Sequence, residues 1–228
     1  MYHGRRVTLV VILLILLGIG VAYRSGQFPA LTKRVTALQT AVSQTLGTQT
    51  DVPAAAPKSH TTTPKGSTPI ESVVQGTSLS KTYYYHFSSK LPAAGMRVFN
   101  DAVDTYNHTG IVHLVEGSAA KRDNQITFSV YYKKMPKNQR LVELGHGGPE
   151  IIEETSTLGA SATWNHATAS LNGDYDKAYT DTVAIHELGH ALGLDHSKSH
   201  QSVMYPYSEG RTQLSQADLT SLKAIYSH

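Results

Sequence analysis

His186, Glu187, His190 and His196 fall in the run His-Glu-Leu-Gly-His-Ala-Leu-Gly-Leu-Asp-His. Residues four apart stack on one face of an α-helix, so His186 and His190 can hold one metal ion between them. Ile185, Leu188 and Leu192 then point to roughly the opposite side, toward a core. Glu187 projects between the two faces, beside the ion but not bound to it. Gly193 can adopt the left-handed conformation that ends a helix, which lets the chain turn back and bring His196 round as a third nitrogen. Three neutral imidazoles and an open fourth position make a catalytic zinc site, whereas four protein ligands would make a closed structural one. Such a zinc lowers the pKa of a bound water and polarises a carbonyl. Glu187 can take the water's proton and deliver it to a leaving amine. Peptide-bond hydrolysis needs that set of parts. The plainer alternative is a buried helix whose histidines are satisfied core residues; Gly193 and His196 at fixed spacing favour zinc.

With those residues the chain resembles the metzincin peptidases, in which His-Glu-x-x-His-x-x-Gly-x-x-His is followed by a Met-turn. Ser202-Val203-Met204-Tyr205-Pro206 supplies the turn, with Met204 as the soft floor beneath the histidines. Ser197 directly after His196, and Pro206 two places after Met204, are similar to the matrixin (matrix metalloproteinase) branch, and no tyrosine zinc ligand is expected. The resemblance implies an α+β fold: a twisted, mostly parallel sheet with an antiparallel edge strand, an active-site helix, the Met-turn and a C-terminal helix. It implies one catalytic zinc and a peptide or protein substrate lying along the edge strand as an added strand. Gly159, Ala160, Ser161 and Ala162 are the expected edge residues, and their small side chains would let a peptide lie close. Tyr205, Pro206 and Tyr207 are expected to wall the pocket for the residue after the scissile bond. Ser208 stands where matrixins commonly have a tyrosine, which leaves the pocket's depth open. The His-x-Asp cluster that binds structural zinc in matrixins is absent, so neither a second zinc nor calcium is supported. His146 and His166 could share an ion, or His146 could be a solvated loop histidine. Asn172 to Asp176 could offer oxygens to calcium, or form a turn.

The elements that must position these groups are legible in part. Lys81 to Phe87 is aromatic and reads as a strand. Pro92 opens a helix with Met96, Phe99, Val103 and Tyr106 on one face and Gly110 beyond its end. Ile111 to Val115 and Ile126 to Tyr132 read as strands, Lys133 to Thr157 is hard to assign, and Gly159 to Trp164 with Ala167 to Leu171 reads as a strand pair. Thr180 and Asp181 are good caps for the zinc helix. A last helix starts at Ser215, with Asp218 completing a capping box, Leu214 and Leu219 as a hydrophobic staple, and Leu219, Leu222 and Tyr226 as a core stripe. Asp218 could also bond beneath the zinc site.

The remainder of the 228 residues is of another character. Met1 to Arg6 is a short basic start and Val7 to Tyr23 an uncharged apolar run spanning roughly 25 Å as a helix. Arg5 and Arg6 favour a cytoplasmic N-terminus. Residues 1–24 are expected to be an uncleaved signal-anchor, or a cleaved signal peptide that would leave a secreted protein. Leu31, Val35, Leu38 and Val42 make less than two clean heptads, a marginal helix. Gly47 to Ser80 is rich in Thr, Ser, Pro, Ala and Gly, so residues 25–79 read as a juxtamembrane stalk and disordered linker. A formal net charge of +3, with no concentrated basic patch, argues against nucleic acid. Cysteine is absent, which excludes disulfides, thiolate metal sites and a cysteine nucleophile. The expectation is a membrane-anchored zinc endopeptidase, with a monomeric catalytic domain at 80–228 outside the membrane. The rivals are a non-enzymatic zinc-stabilised surface module and a hydrolase of cell-wall peptide crosslinks.

Overall fold

The structure, a computed structural model, describes residues 63–136, 138 and 141–227. The signal-anchor and the greater part of the expected stalk lie outside the described residues. Among the described residues no helix is long and apolar enough to cross a membrane.

Strand β1 (Thr82–Phe87) leads into helix α1 (Ala93–Asn107), and the chain returns in β2 (His113–Glu116), parallel to β1. Strand β3 (Asn124–Tyr131) pairs parallel to β1 on its other side. The chain continues through β4 (Gly145–Gly148), β5 (Ile151–Thr155) and β6 (Ser161–Asn172), then a single 3-10 turn, helix α2 (Asp181–Ala191) and helix α3 (Gln216–Tyr226). The sheet order is β2-β1-β3-β6-β4, with β6 parallel to β3 and antiparallel to β4 and β5. This is a mixed α/β sheet, parallel except where β4 and β5 meet β6.

Two parts of the sequence-based picture change. The expected strand pair at 159–171 is one strand, β6, of 12 residues. Nothing in Ala-Thr-Trp-Asn-His-Ala forces a turn, and β3, β4 and β5 provide partners along its length. The linker also ends earlier than residue 79: Thr68, Ile70, Val74 and Leu79 are all buried. Their spacing within polar sequence disguises a docking segment.

The α1 stripe holds at Phe99, Val103 and Tyr106 and departs only at Met96. Val98, Phe99, Ala102, Val103 and Tyr106 are buried, while Met96 is at the surface. Phe99 stacks on Phe128 of β3 with ring centroids 4.4 Å apart. Helix α2 lies along β6 and β4, and its C-terminal carbonyls are satisfied by buried side chains. Asn165 Nδ2 donates to Ala191 O at 3.0 Å, and Tyr226 Oη to Leu192 O at 2.9 Å. These bonds tie the helix that carries the histidines to β6 on one side and α3 on the other.

Candidate active site

The histidine helix begins at Thr180, the expected cap, although its side chain makes no cap hydrogen bond. Asp181 pairs instead with Arg97 of α1 at 3.3 Å. The helix stops where Gly193 turns at φ +98°, a left-handed conformation that L side chains rarely adopt. Val74 lies against that glycine, so a side chain there would also be crowded. The turn carries His196 back over the helix end.

The Nε2 atoms of His186, His190 and His196 lie 3.2, 3.3 and 3.3 Å from one another. Tetrahedral zinc with bonds of about 2.0–2.1 Å sets its nitrogens about 3.3–3.4 Å apart. The outward nitrogens decide the tautomers. His186 Nδ1 is 2.8 Å from Val203 O and His190 Nδ1 is 3.2 Å from Glu71 Oε1. Both partners can only accept, so each neutral imidazole keeps its one proton on Nδ1. The two Nε2 atoms then turn lone pairs toward each other, an arrangement that calls for a cation between them. Burial, with a smaller contribution from His190, holds the His186 pKa down at about 4, which keeps that ring neutral. The donor set fits zinc. Among the described residues no other group of three or more His or acidic side chains gathers in this way.

Glu187 is buried beside the triad. Burial pushes its carboxyl up to about 7; His190 opposes that shift and Glu143 adds to it. It faces β4, where a side chain on Gly145 would collide with the Glu187 carboxylate and one on Gly147 with its main chain. These glycines let the strand pass against the helix.

Beneath the histidines, Met204 is fully buried and lies so close to Gly189 that a Cβ there would strike its sulfur. The turn around it hangs from Asp218, at the start of α3. Asp218 Oδ1 accepts from the hydroxyls of Ser202 and Thr68, and Oδ2 accepts from Val203 N, Ser215 N and Ser215 Oγ. The predicted capping box is therefore present, and the same carboxylate also braces the turn.

A cleft of about 520 Å³ opens beside the triad, lined by Leu141, Val142, Leu144 and Gly145 on one side and by Tyr205, Pro206 and Tyr207 on the other. Tyr205, Pro206 and Tyr207 thus sit where the sequence places a pocket wall. Gly159, Ala160, Ser161 and Ala162 do not border it. Residues 156–160 form the turn between β5 and β6, with Gly159 at φ +83°, and Ser161 and Ala162 pair with Thr155 and Glu154 of β5. The strand at the cleft is β4, whose Gly-His-Gly-Gly offers neither a periodic apolar pattern nor β-branched residues.

His146 and His166 cannot share an ion. His146 sits opposite Ser170, four positions along β6 from His166, or about 13 Å at strand rise. Asn172 is committed within its turn: Oδ1 accepts from Lys133 N and Asp174 N, and Nδ2 donates to Lys133 O and Glu143 O. Trp164 is a core residue, as its position in β6 suggests.

Glu71 was not among the expected site residues, because it lies in sequence that reads as linker. The only local signal was Ile70 and Val74 flanking it at helical spacing.

Residues 82–227 match the family model described as Matrixin. Over shorter stretches the chain is similar to an interstitial collagenase of Equus caballus, with 50% identity over 46 residues, 19% of this chain and 10% of the relative. It is 41% identical over 49 residues to metalloendoproteinase 1 of Glycine max, covering 20% of this chain and 16% of that protein. It is also 42% identical over 62 residues to matrix metalloproteinase-25 of Homo sapiens, covering 24% of this chain and 11% of that one. The matched stretches span only a small part of these relatives.

Proposed function

The chain belongs to the matrixin family of zinc metalloendopeptidases, and from that premise we propose that it cleaves extended peptide or protein segments outside a membrane, with Glu187 as the proton carrier. His186, His190 and His196 are the zinc ligands and Met204 their structural floor. The observation that carries this reading is the convergence of three imidazole nitrogens whose outward partners oblige two of them to present lone pairs.

Zinc, when bound, supplies Lewis acidity that polarises a carbonyl and acidifies water. The chain's own residues do the rest. The substrate adds to the free edge of β4, where Gly145, Gly147 and Gly148 have no side chains to hold a peptide off. A bulky apolar side chain after the scissile bond enters the cleft between Leu141, Val142 and Tyr205. Glu187 accepts a proton from the attacking water as the new C–O bond forms. It then gives that proton to the amine nitrogen as the C–N bond breaks. A carboxyl whose burial brings its pKa near neutrality is suited to both halves of that exchange.

The uncharged run Val7 to Tyr23, preceded by Arg5 and Arg6, tethers the protein, and the Thr- and Pro-rich stretch after it sets the catalytic domain clear of the membrane. Residues 80–228, extended backward by the buried segment from Thr68, make up that domain.

Glu187→Ala tests the central assignment. Loss of the proton carrier is expected to lower kcat/KM by about 10²–10⁴-fold. Bound zinc, measured by metal analysis, should remain near one ion per chain. A Glu187→Ala protein that cleaves at the parental rate would refute the role.

A further inference from the structure

The metal ligands sit inside the family-matched residues, but one group that touches them does not. Glu71 lies 11 positions before residue 82, where the match begins. It is nevertheless held at the site from several directions. Its N–H donates to Gly193 O at 2.9 Å, Asp195 N–H donates to Pro69 O at 2.8 Å, and Ile70 forms a bridge with Leu194. These bonds make a short antiparallel strap against the loop between His190 and His196. Ile70 and Val74 are buried on either side of Glu71, Val74 packing over Gly193. Behind it, Val74 N and Gln75 N donate to Glu71 O, and Gln75 Nε2 to Ile70 O.

From that scaffold the carboxylate reaches the site, and Oε1 lies 3.2 Å from His190 Nδ1. The other two ligand histidines differ. His186 donates to a main-chain carbonyl within the family-matched domain, and among the described residues no carboxylate is hydrogen-bonded to His196 Nδ1. A carboxylate behind a ligand imidazole fixes its tautomer, orients the ring and makes the facing nitrogen a better donor. We propose that Glu71 is a positioning residue for His190, so that the segment before the family-matched domain completes the metal centre. This rests on the zinc-peptidase reading above and adds to it a residue that strap docking alone delivers.

The test uses the full chain and its Glu71→Ala and Glu71→Gln variants. Zinc affinity is measured by competition with a chromophoric chelator, the d–d absorption spectrum is recorded with cobalt(II) in place of zinc, and kcat and KM are determined separately at saturating zinc. Glu71→Ala should weaken zinc binding by about 10–100-fold and shift the cobalt bands, and kcat should fall with KM little changed. Glu71→Gln keeps an acceptor oxygen and should recover most of the affinity. An alanine variant that holds zinc within about twofold of the parent overturns the proposal, as does a glutamine variant no better than alanine. A parent chain that takes up no zinc would instead bring down the peptidase reading itself, whereas an active parent with an unaltered alanine variant overturns only the role of Glu71.

Discussion

Beneath the three imidazoles, one buried carboxylate accepts hydrogen bonds from Thr68, Ser202, Val203 and Ser215, and so joins the strap, the Met204 turn and α3 at a single point. Across the cleft, β4 is Gly-His-Gly-Gly, and its contribution to the site is the absence of side chains on the face toward Glu187. The floor is held by polar groups that are all satisfied, the wall by close approach of two backbones. A satisfied buried network resists change because every member loses a partner when one is altered. A close approach tolerates change on one face of the strand and not on the other. The two regions should therefore fail in different ways.

The floor should give the largest effect of the substitutions that separate them. Asp218→Asn keeps the size of the side chain but replaces one acceptor oxygen with a donor. If the NH₂ takes the place of Oδ2 it meets the N–H groups of Val203 and Ser215, which can only donate; if it takes the place of Oδ1, the Thr68 and Ser202 hydroxyls that donate there lose their acceptor. Losing charge-assisted bonds to buried donors is expected to cost about 2–4 kcal/mol, read by denaturant unfolding. Zinc affinity should fall as well, because Val203 O orients His186. A variant as stable as the parent would mean that the network is not what holds the floor.

The same contrast separates what could be read from the sequence from what could not. The floor and the metal ligands are written in local patterns: histidines at helical spacing, a glycine where φ must be positive, a serine and an acid three apart at a helix start. Each pattern specifies its own geometry, and each appears where expected. The wall depends on pairing between residues far apart in the chain. Gly145 to Gly148 become a strand because β6 lies opposite them, and β6 runs through Asn165 and His166 because three other strands supply its partners. Short-range propensity carries no information on that, so the edge strand was expected at Gly159 to Ala162. Glu71 was hidden for a related reason. Its segment is too polar to read as structured, and only the loop after α2 gives it something to dock against.

A test of the wall comes next in size. Gly147→Ala would place a methyl group against the main-chain carbonyl of Glu187, which cannot rotate away as a side chain could. Strand or helix must shift, at an expected cost of about 1–3 kcal/mol in stability. Since the shift falls on Glu187, the proposed proton carrier, kcat/KM should drop further than the change in thermal midpoint would suggest. Unchanged kcat/KM would show that β4 and α2 are not in working contact.

The smallest effect is expected one residue along, and it is the more discriminating. Successive residues in a strand face opposite ways, so Gly145 and Gly147 look toward α2 while His146 and Gly148 look away from it. A Cβ on Gly148 meets nothing within 4 Å, and its φ lies outside the left-handed region. Gly148→Ala therefore introduces no clash, and it narrows the range of conformations open to the unfolded chain. The expected result is a gain of about 0.4–1 kcal/mol in unfolding free energy with kcat/KM unchanged. If both alanine variants lost activity equally, the glycines would matter for the flexibility of the strand rather than for what lies behind it. If only Gly147→Ala does so, the wall works by a one-sided fit, in which the missing methyl groups leave room for Glu187, the proposed proton carrier.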